Sequence, residues 1–200
     1  MNERFSKFIE AELEPGTLLI TCGLPGTWKT ETAEEISKTK GYPILRTDLI
    51  RLEVLRNQDV FDEKVASDMN KRELVYDETF RRAEEIAQKG RGVILDATFV
   101  TQELRRKAAA IAAKHDLTFV IMQTHCSEQV SLSRILRRTR ENYESNALTR
   151  DAYVNNRKKF EPVDLEDLKK RHPRLKITHL IVDTEQDSPE EWRVIDVKKR

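Results

Sequence analysis

Cysteine is scarce in this chain: Cys22 and Cys126 are the two it has, without metal-ligand spacing, and both lie in or beside apolar β-like runs. A disulfide framework and a structural zinc site are thereby excluded, and buried reduced thiols are expected. Long apolar runs are missing too, since none approaches the ~20 residues a membrane span needs. Residues 1–10 mix acid and base without an apolar stretch, so no signal peptide is expected and cytoplasm is the default address. A surplus of one charge is also lacking. Lys+Arg number 36 against 35 Asp+Glu, a net +1, which argues against a DNA-coating surface but not against a local basic groove. There is no repeat, low-complexity linker or domain boundary, so 200 residues are expected to form a single domain over 1–200.

What is present is an alternation of short apolar runs with amphipathic segments. Strands are expected at 17–22, near 44–46, at 93–95, 119–122 and 179–183. Helices are expected at 29–38, from Thr47-Asp48 through Leu55, at about 63–88, 102–114, 128–140 and 150–160, with a short one from Pro189. Such alternation implies parallel strands joined by right-handed crossovers, hence a three-layer α/β/α sandwich. The charged ends, 1–14 and 196–200, are expected to be loosely held, and Trp192 to pack the terminal helix.

The densest chemistry follows the first strand. Gly23-Leu24-Pro25-Gly26-Thr27-Trp28-Lys29-Thr30 fits a phosphate-binding loop between strand and helix. In such a loop the backbone amides wrap a triphosphate, Lys29 reaches the outer phosphates and the Thr30 hydroxyl ligates Mg²⁺. One position departs from the pattern: Trp28 stands where a second glycine is expected. It fits if its backbone is near-helical and its indole points out of the loop; otherwise the loop binds nucleotide weakly.

Ligands of open parallel sheets bind at the carboxyl ends of strands, and that rule adds Thr47, Asp48, Arg51, Asp96 and Thr98 to the same crevice. Asp48 is either a helix N-cap, a general base, or both. Arg51, one turn later, is either solvated or a holder of an anionic acceptor. Asp96, at the rim of Val93-Ile94-Leu95, has the place of an acid that serves Mg²⁺. Arg134, Arg137, Arg138 and Arg140 form either a solvated basic face or a lid whose guanidiniums neutralise the departing phosphoryl group. The polar stretch 141–149 has the composition of a mobile lid segment.

Together these segments resemble the P-loop kinases typified by polynucleotide 5′-kinase, a group that includes zeta-toxin-like and small-molecule kinases. Gly23-Leu24-Pro25-Gly26 is similar to the group's G-L-P-G opening, Thr47-Asp48-Leu49-Ile50-Arg51 to its S/T-D-x-I-R segment, and Val93 to Thr98 to its V-I-L-D-A-T strand. The resemblance extends from about Pro15 to Thr184. It implies five parallel strands in the adenylate-kinase-like order 2-3-1-4-5 and a lid around 138–152. It further implies ATP and Mg²⁺ as cofactors and a hydroxyl acceptor, either a polynucleotide 5′-hydroxyl or a small molecule. Lys29, Asp48 and Arg138 are then catalytic, and residues 23–30 with Arg134 and Arg138 bind nucleotide. Asp48, Arg51 and Thr98 face the acceptor, while Thr30 and Asp96 hold the metal. A regulator that binds nucleotide without transfer, and an RNA-binding module using 134–140 and 157–159, are the other readings.

Overall fold

The computed structural model of the protein describes residues 2–60, 65, 68–138 and 149–200. Arg140 and most of the expected lid, as well as much of the expected start of the 63–88 helix, lie outside the described residues.

In chain order the elements are β1 (Glu3–Arg4), α1 (Phe5–Glu12), β2 (Thr17–Cys22), α2 (Lys29–Lys40), β3 (Ile44–Arg46) and α3 (Thr47–Val54). They continue with α4 (Met69–Ala87), β4 (Val93–Asp96), α5 (Gln102–Lys114), β5 (Thr118–His125), α6 (Glu128–Leu136), α7 (Arg150–Lys159) and α8 (Leu165–Arg171). The chain ends with β6 (Ile177–Asp183), a 3₁₀ turn at Pro189–Glu191 and β7 (Arg193–Lys199). Several helices start on side-chain caps that satisfy orphan amides: Asp68, Thr101, Ser127, Thr149 and Asp164 each accept from a first-turn N–H.

The seven strands among the described residues form one sheet in the order β1-β7-β6-β5-β2-β4-β3. Its parallel part, β3-β4-β2-β5-β6, is the expected 2-3-1-4-5 arrangement. The expected count of five strands needs correction, because β7 pairs antiparallel with β6 and β1 antiparallel with β7. A run as charged as Arg193–Lys199 hides its strand character: Val194 is buried against the core, while the charges face out. The ends are therefore built in rather than loose. Trp192 packs against Phe5 of α1 and not into a terminal helix, since only one 3₁₀ turn precedes it.

Period-2 alternation divides the core between two faces. Leu18, Ile20, Val93, Leu95, Phe119 and Ile121 join α4, α5 and α8 on one side. Leu19, Ile94, Val120 and Met122 join α1, α2 and Trp192 on the other. Strands buried on both faces read as continuous apolar runs, which is why the sequence pattern located the central ones. Helix α1 was missed because its apolar residues Phe5, Phe8 and Ile9 sit among charges.

Trp192 is 1% exposed, its ring lies 6.1 Å from that of Phe5, and its Nε1 donates to the Gln186 carbonyl at 2.9 Å. Trp192→Ala should therefore cost about 3–5 kcal/mol in urea unfolding, the range for emptying an aromatic site. A loss under about 1 kcal/mol would mean that the antiparallel edge adds little to the core.

Candidate active site

The carboxyl ends of β2, β3 and β4 lie side by side, and polar residues that follow each strand converge there. Asp96, at the end of β4, is 6% exposed and is the hub. Its Oδ1 accepts from Thr21 Oγ1 at 3.0 Å and its Oδ2 from Thr30 Oγ1 at 2.6 Å, while its carbonyl accepts from Thr47 Oγ1 at 3.1 Å. The Arg46 Nε stands 4.0 Å from Oδ2. A hydroxyl and a carboxylate this close, both hard oxygen donors, suit Mg²⁺, which takes one or two protein ligands and fills the rest with water and phosphate oxygens. Thr30 and Asp96 are thus the residues that would hold it.

The loop 23–30 passes over this hub. Gly23 (φ 137°) and Gly26 (φ 81°) use backbone that side chains rarely adopt. A Cβ on Gly26 would also lie 2.5 Å from the Ser131 carbonyl oxygen, so the loop is pressed against α6. Pro25 is buried, Gly23 N donates to the Thr98 carbonyl at 3.2 Å, and Thr27 Oγ1 pairs with Thr124 Oγ1 at 2.6 Å. Lys29 Nζ arches back to the Leu24 carbonyl at 2.7 Å. Burial lowers its ammonium from the ordinary value of 10.5, opposed by Asp96 and reinforced by Arg138. The amino end of α2 follows the loop directly and Trp28 gives it no side-chain cap, an arrangement that suits an anion.

Trp28 does not meet the expectation of a near-helical backbone. It sits at φ 54°, ψ 37°, the left-handed conformation a glycine would take there. Its indole does leave the loop, and it meets Arg134 and Asp187. Arg134 is 3% exposed, with every N–H engaged by the protein, so it cannot belong to a solvated basic face. The expectation that it closes on a triphosphate meets the same obstacle, because its donors are already committed. Arg138 is placed differently: its charge reaches Lys29 and Glu31.

Asp48 is the second residue of α3 and not its N-cap; Arg46 holds that position, without a side-chain cap. Burial raises the Asp48 carboxyl above the ordinary 3.8, and repulsion from Asp96 adds to this against Arg51, Arg46 and Lys29. Arg51 is 9% exposed, which removes the solvated alternative for it. Thr98 lies in the same crevice, beside the Tyr76 side chain on α4. Sequence reasoning passed over Arg46, Tyr76 and Asp187; only Arg46, adjoining Thr47-Asp48, carried a positional signal. Cys22 and Cys126 are free and buried, as expected. Among the described residues no helix is long and apolar enough to cross a membrane.

A family model described as AAA domain matches residues 18–163, which include the loop, the Asp96 hub and α6. The chain belongs to that family. Solved structures give this AAA-domain protein the fold of P-loop kinases. A gluconokinase from Sinorhizobium meliloti 1021 is similar at 19% identity, over 87% of this chain and 86% of that one, with TM-score 0.60. A sugar kinase from Janibacter sp. HTCC2649 is 13% identical over 88% and 90%, with TM-score 0.64. Kti12 of Chaetomium thermophilum, solved with ADP-AlF3, is 18% identical over 74% and 81%, with TM-score 0.56. No curated protein sequence matches the chain.

The raised Asp48 carboxyl has a measurable sign. Between 3.8 and its higher folded value the folded state binds the proton more tightly, so stability is lost as pH rises through that window. Asp48→Asn removes the penalty and should raise the melting temperature at pH 7, with the gain vanishing below about pH 3.8. A lower melting temperature at pH 7 would show that the cations beside Asp48 outweigh its burial.

Proposed function

We propose that this protein is a kinase that moves the γ-phosphoryl group of ATP onto the hydroxyl of a small molecule, with Mg²⁺ held by Thr30 and Asp96. The observation that carries the reading is the 2.6 Å hydrogen bond from Thr30 to Asp96 directly beneath the Lys29 loop. It joins a phosphate cradle to a magnesium-type donor pair near the half-buried Asp48 carboxylate, whose pKa the charge of Asp96 raises. The metal would supply charge neutralisation between phosphate oxygens.

The chain's own groups divide the remaining work. Loop amides 23–30 and the amino end of α2 orient the phosphates, and Lys29 balances the charge that builds on the outer ones. Asp48 orients the acceptor hydroxyl and takes its proton, a task helped by a carboxyl pKa drawn toward neutrality. Arg51 and Thr98 line the acceptor side, and the guanidinium suits an acceptor that carries negative charge. Arg138, close to Lys29, is the arginine of the lid side for transition-state charge. A groove of about 530 Å³ between α6 and the segment after β6, lined by Val130, Ser133, Arg137 and Asp187 among others, is the candidate place for the nucleoside, since Asp187 also holds the Trp28 indole of the loop.

Two facts support a small acceptor over a polynucleotide. Arg134, a member of the basic run, is buried and gives a nucleic acid no contact. Two of the similar folds are a gluconokinase and a sugar kinase.

Incubation with γ-labelled ATP, Mg²⁺ and pooled sugars, sugar acids, nucleosides and oligonucleotides tests the reading. Label should enter a small hydroxylated product; label on oligonucleotide ends would move the acceptor class, and nucleotide binding without any product would favour a regulator. Lys29→Ala should abolish transfer with the fold intact by circular dichroism. Asp48→Asn should retain ATP binding and lose about 10²–10⁴-fold in turnover, as expected for a general base.

Arg138→Ala separates the two arginines. It should lower kcat by about 10³-fold with a much smaller effect on ATP affinity, whereas Arg134→Ala should damage stability and affinity together. Equal behaviour of the two variants would return both to one role.

A further inference from the structure

The indole of Trp28 is held from two directions. Arg134 Cζ lies 4.6 Å from its ring centroid, and its Nε1 donates to Asp187 Oδ1 at 3.2 Å. That same carboxylate oxygen accepts from Arg134 Nε at 3.0 Å and Nη2 at 2.8 Å, so the three side chains close a triangle. The Arg134 guanidinium also donates to the Gly26 carbonyl at 3.3 Å and to the Thr184 carbonyl at 2.8 Å. Thr184 Oγ1 donates in turn to the Thr27 carbonyl at 3.1 Å. Two consecutive loop carbonyls are thereby tied to α6 and to the segment after β6.

We infer that Trp28, Arg134 and Asp187 form a clamp that keeps the phosphate loop in its binding shape and makes a tryptophan workable where the loop demands left-handed backbone. The inference rests on the phosphate-loop reading above and adds the positioning residues of that loop. Its physical core is a compensation. A bulky residue at φ 54° is strained, whatever its surroundings. Cation–π contact with a desolvated arginine and an indole hydrogen bond offset that strain only while all three partners are present. Arg134 is a positioning residue, and Asp187 supplies the counter-charge that its burial requires, with its own carboxyl held below the ordinary range by that guanidinium.

Strain depends on a Cβ and the clamp depends on the indole, so a substitution series separates them. Trp28→Ala keeps the strain and loses the clamp; Trp28→Gly loses both; Trp28→Phe keeps the ring without the N–H. Affinity for ATP with Mg²⁺, measured by calorimetry, should fall about tenfold or more in the alanine variant and only about threefold in the glycine variant, with phenylalanine between them. Without nucleotide, the alanine variant should melt about 2–4 °C below the glycine variant. Asp187→Ala should weaken ATP binding about tenfold in the Trp28 protein and only about threefold when added to Trp28→Gly, where the counter-charge to Arg134 is lost but no indole is released.

Equal losses for alanine and glycine would mean that the indole touches nucleotide and holds nothing, and would overturn the clamp. So would an Asp187→Ala effect of the same size in both backgrounds. Failure of the parent protein to bind ATP at all would instead overturn the phosphate-loop reading, while the nucleotide-free melting order would still decide for or against the clamp.

Discussion

Asp96 is the residue on which the crevice depends. Its backbone ends β4, one carboxylate oxygen binds Thr21 on β2, the other binds Thr30 at the start of α2, and its carbonyl binds Thr47 at the start of α3. One buried acid therefore sets the relative positions of three strand ends and two helix starts. Burying a carboxylate is costly unless it is hydrogen-bonded and faces positive charge. Here two hydroxyls and the nearby Arg46 meet that requirement. The same hydroxyl–carboxylate pair that ties α2 to β4 is the pair suited to a divalent cation, so scaffold and proposed site share atoms.

The loop above Asp96 shows how a local rule can be broken and still give an ordered structure. Left-handed backbone at a tryptophan is a conflict between local preference and global fold, and such conflicts concentrate at functional positions. Its resolution draws on residues more than a hundred positions away, Arg134 and Asp187, brought together because β6 lies next to β5 and α6 follows β5. An arginine used in this way has no donor left for another task. Among the described arginines of the 128–140 segment Arg134 is the buried one, and Arg138, four residues on and past the end of α6, is the one whose charge reaches Lys29.

The central sheet and the loop were legible in the sequence for one reason: strands covered on both faces leave uninterrupted apolar runs, and the loop residues lie next to each other in the chain. Leu18 to Ile20 and Val93 to Leu95 are such runs. The edge strands were not legible, because β7 fully buries only Val194, sets Val197 partly against the core, leaves Ile195 exposed and interleaves them with charges. The cap of α3 was misplaced by one or two positions, since Asp48 is a common capping residue while Arg46 is not. The partners of Trp28 were unreadable for a different reason. Nothing in a linear pattern says that residue 28 meets residue 187; only the sheet order does.

The charges of the crevice point in a common direction. Lys29 is held below its ordinary pKa, and Asp48 and Glu31 above theirs, each mainly by burial. A low-polarity pocket makes every one of these charges expensive while it stands alone, and it magnifies any charge that enters. An incoming polyphosphate would compensate the Lys29 charge and raise its pKa again. The same negative charge would push Asp48 further up, toward the pKa at which a carboxylate accepts a proton most effectively near neutral pH. The stability that Asp48 costs the protein and the basicity proposed for it toward an acceptor hydroxyl thus share one cause, its desolvation beside Asp96.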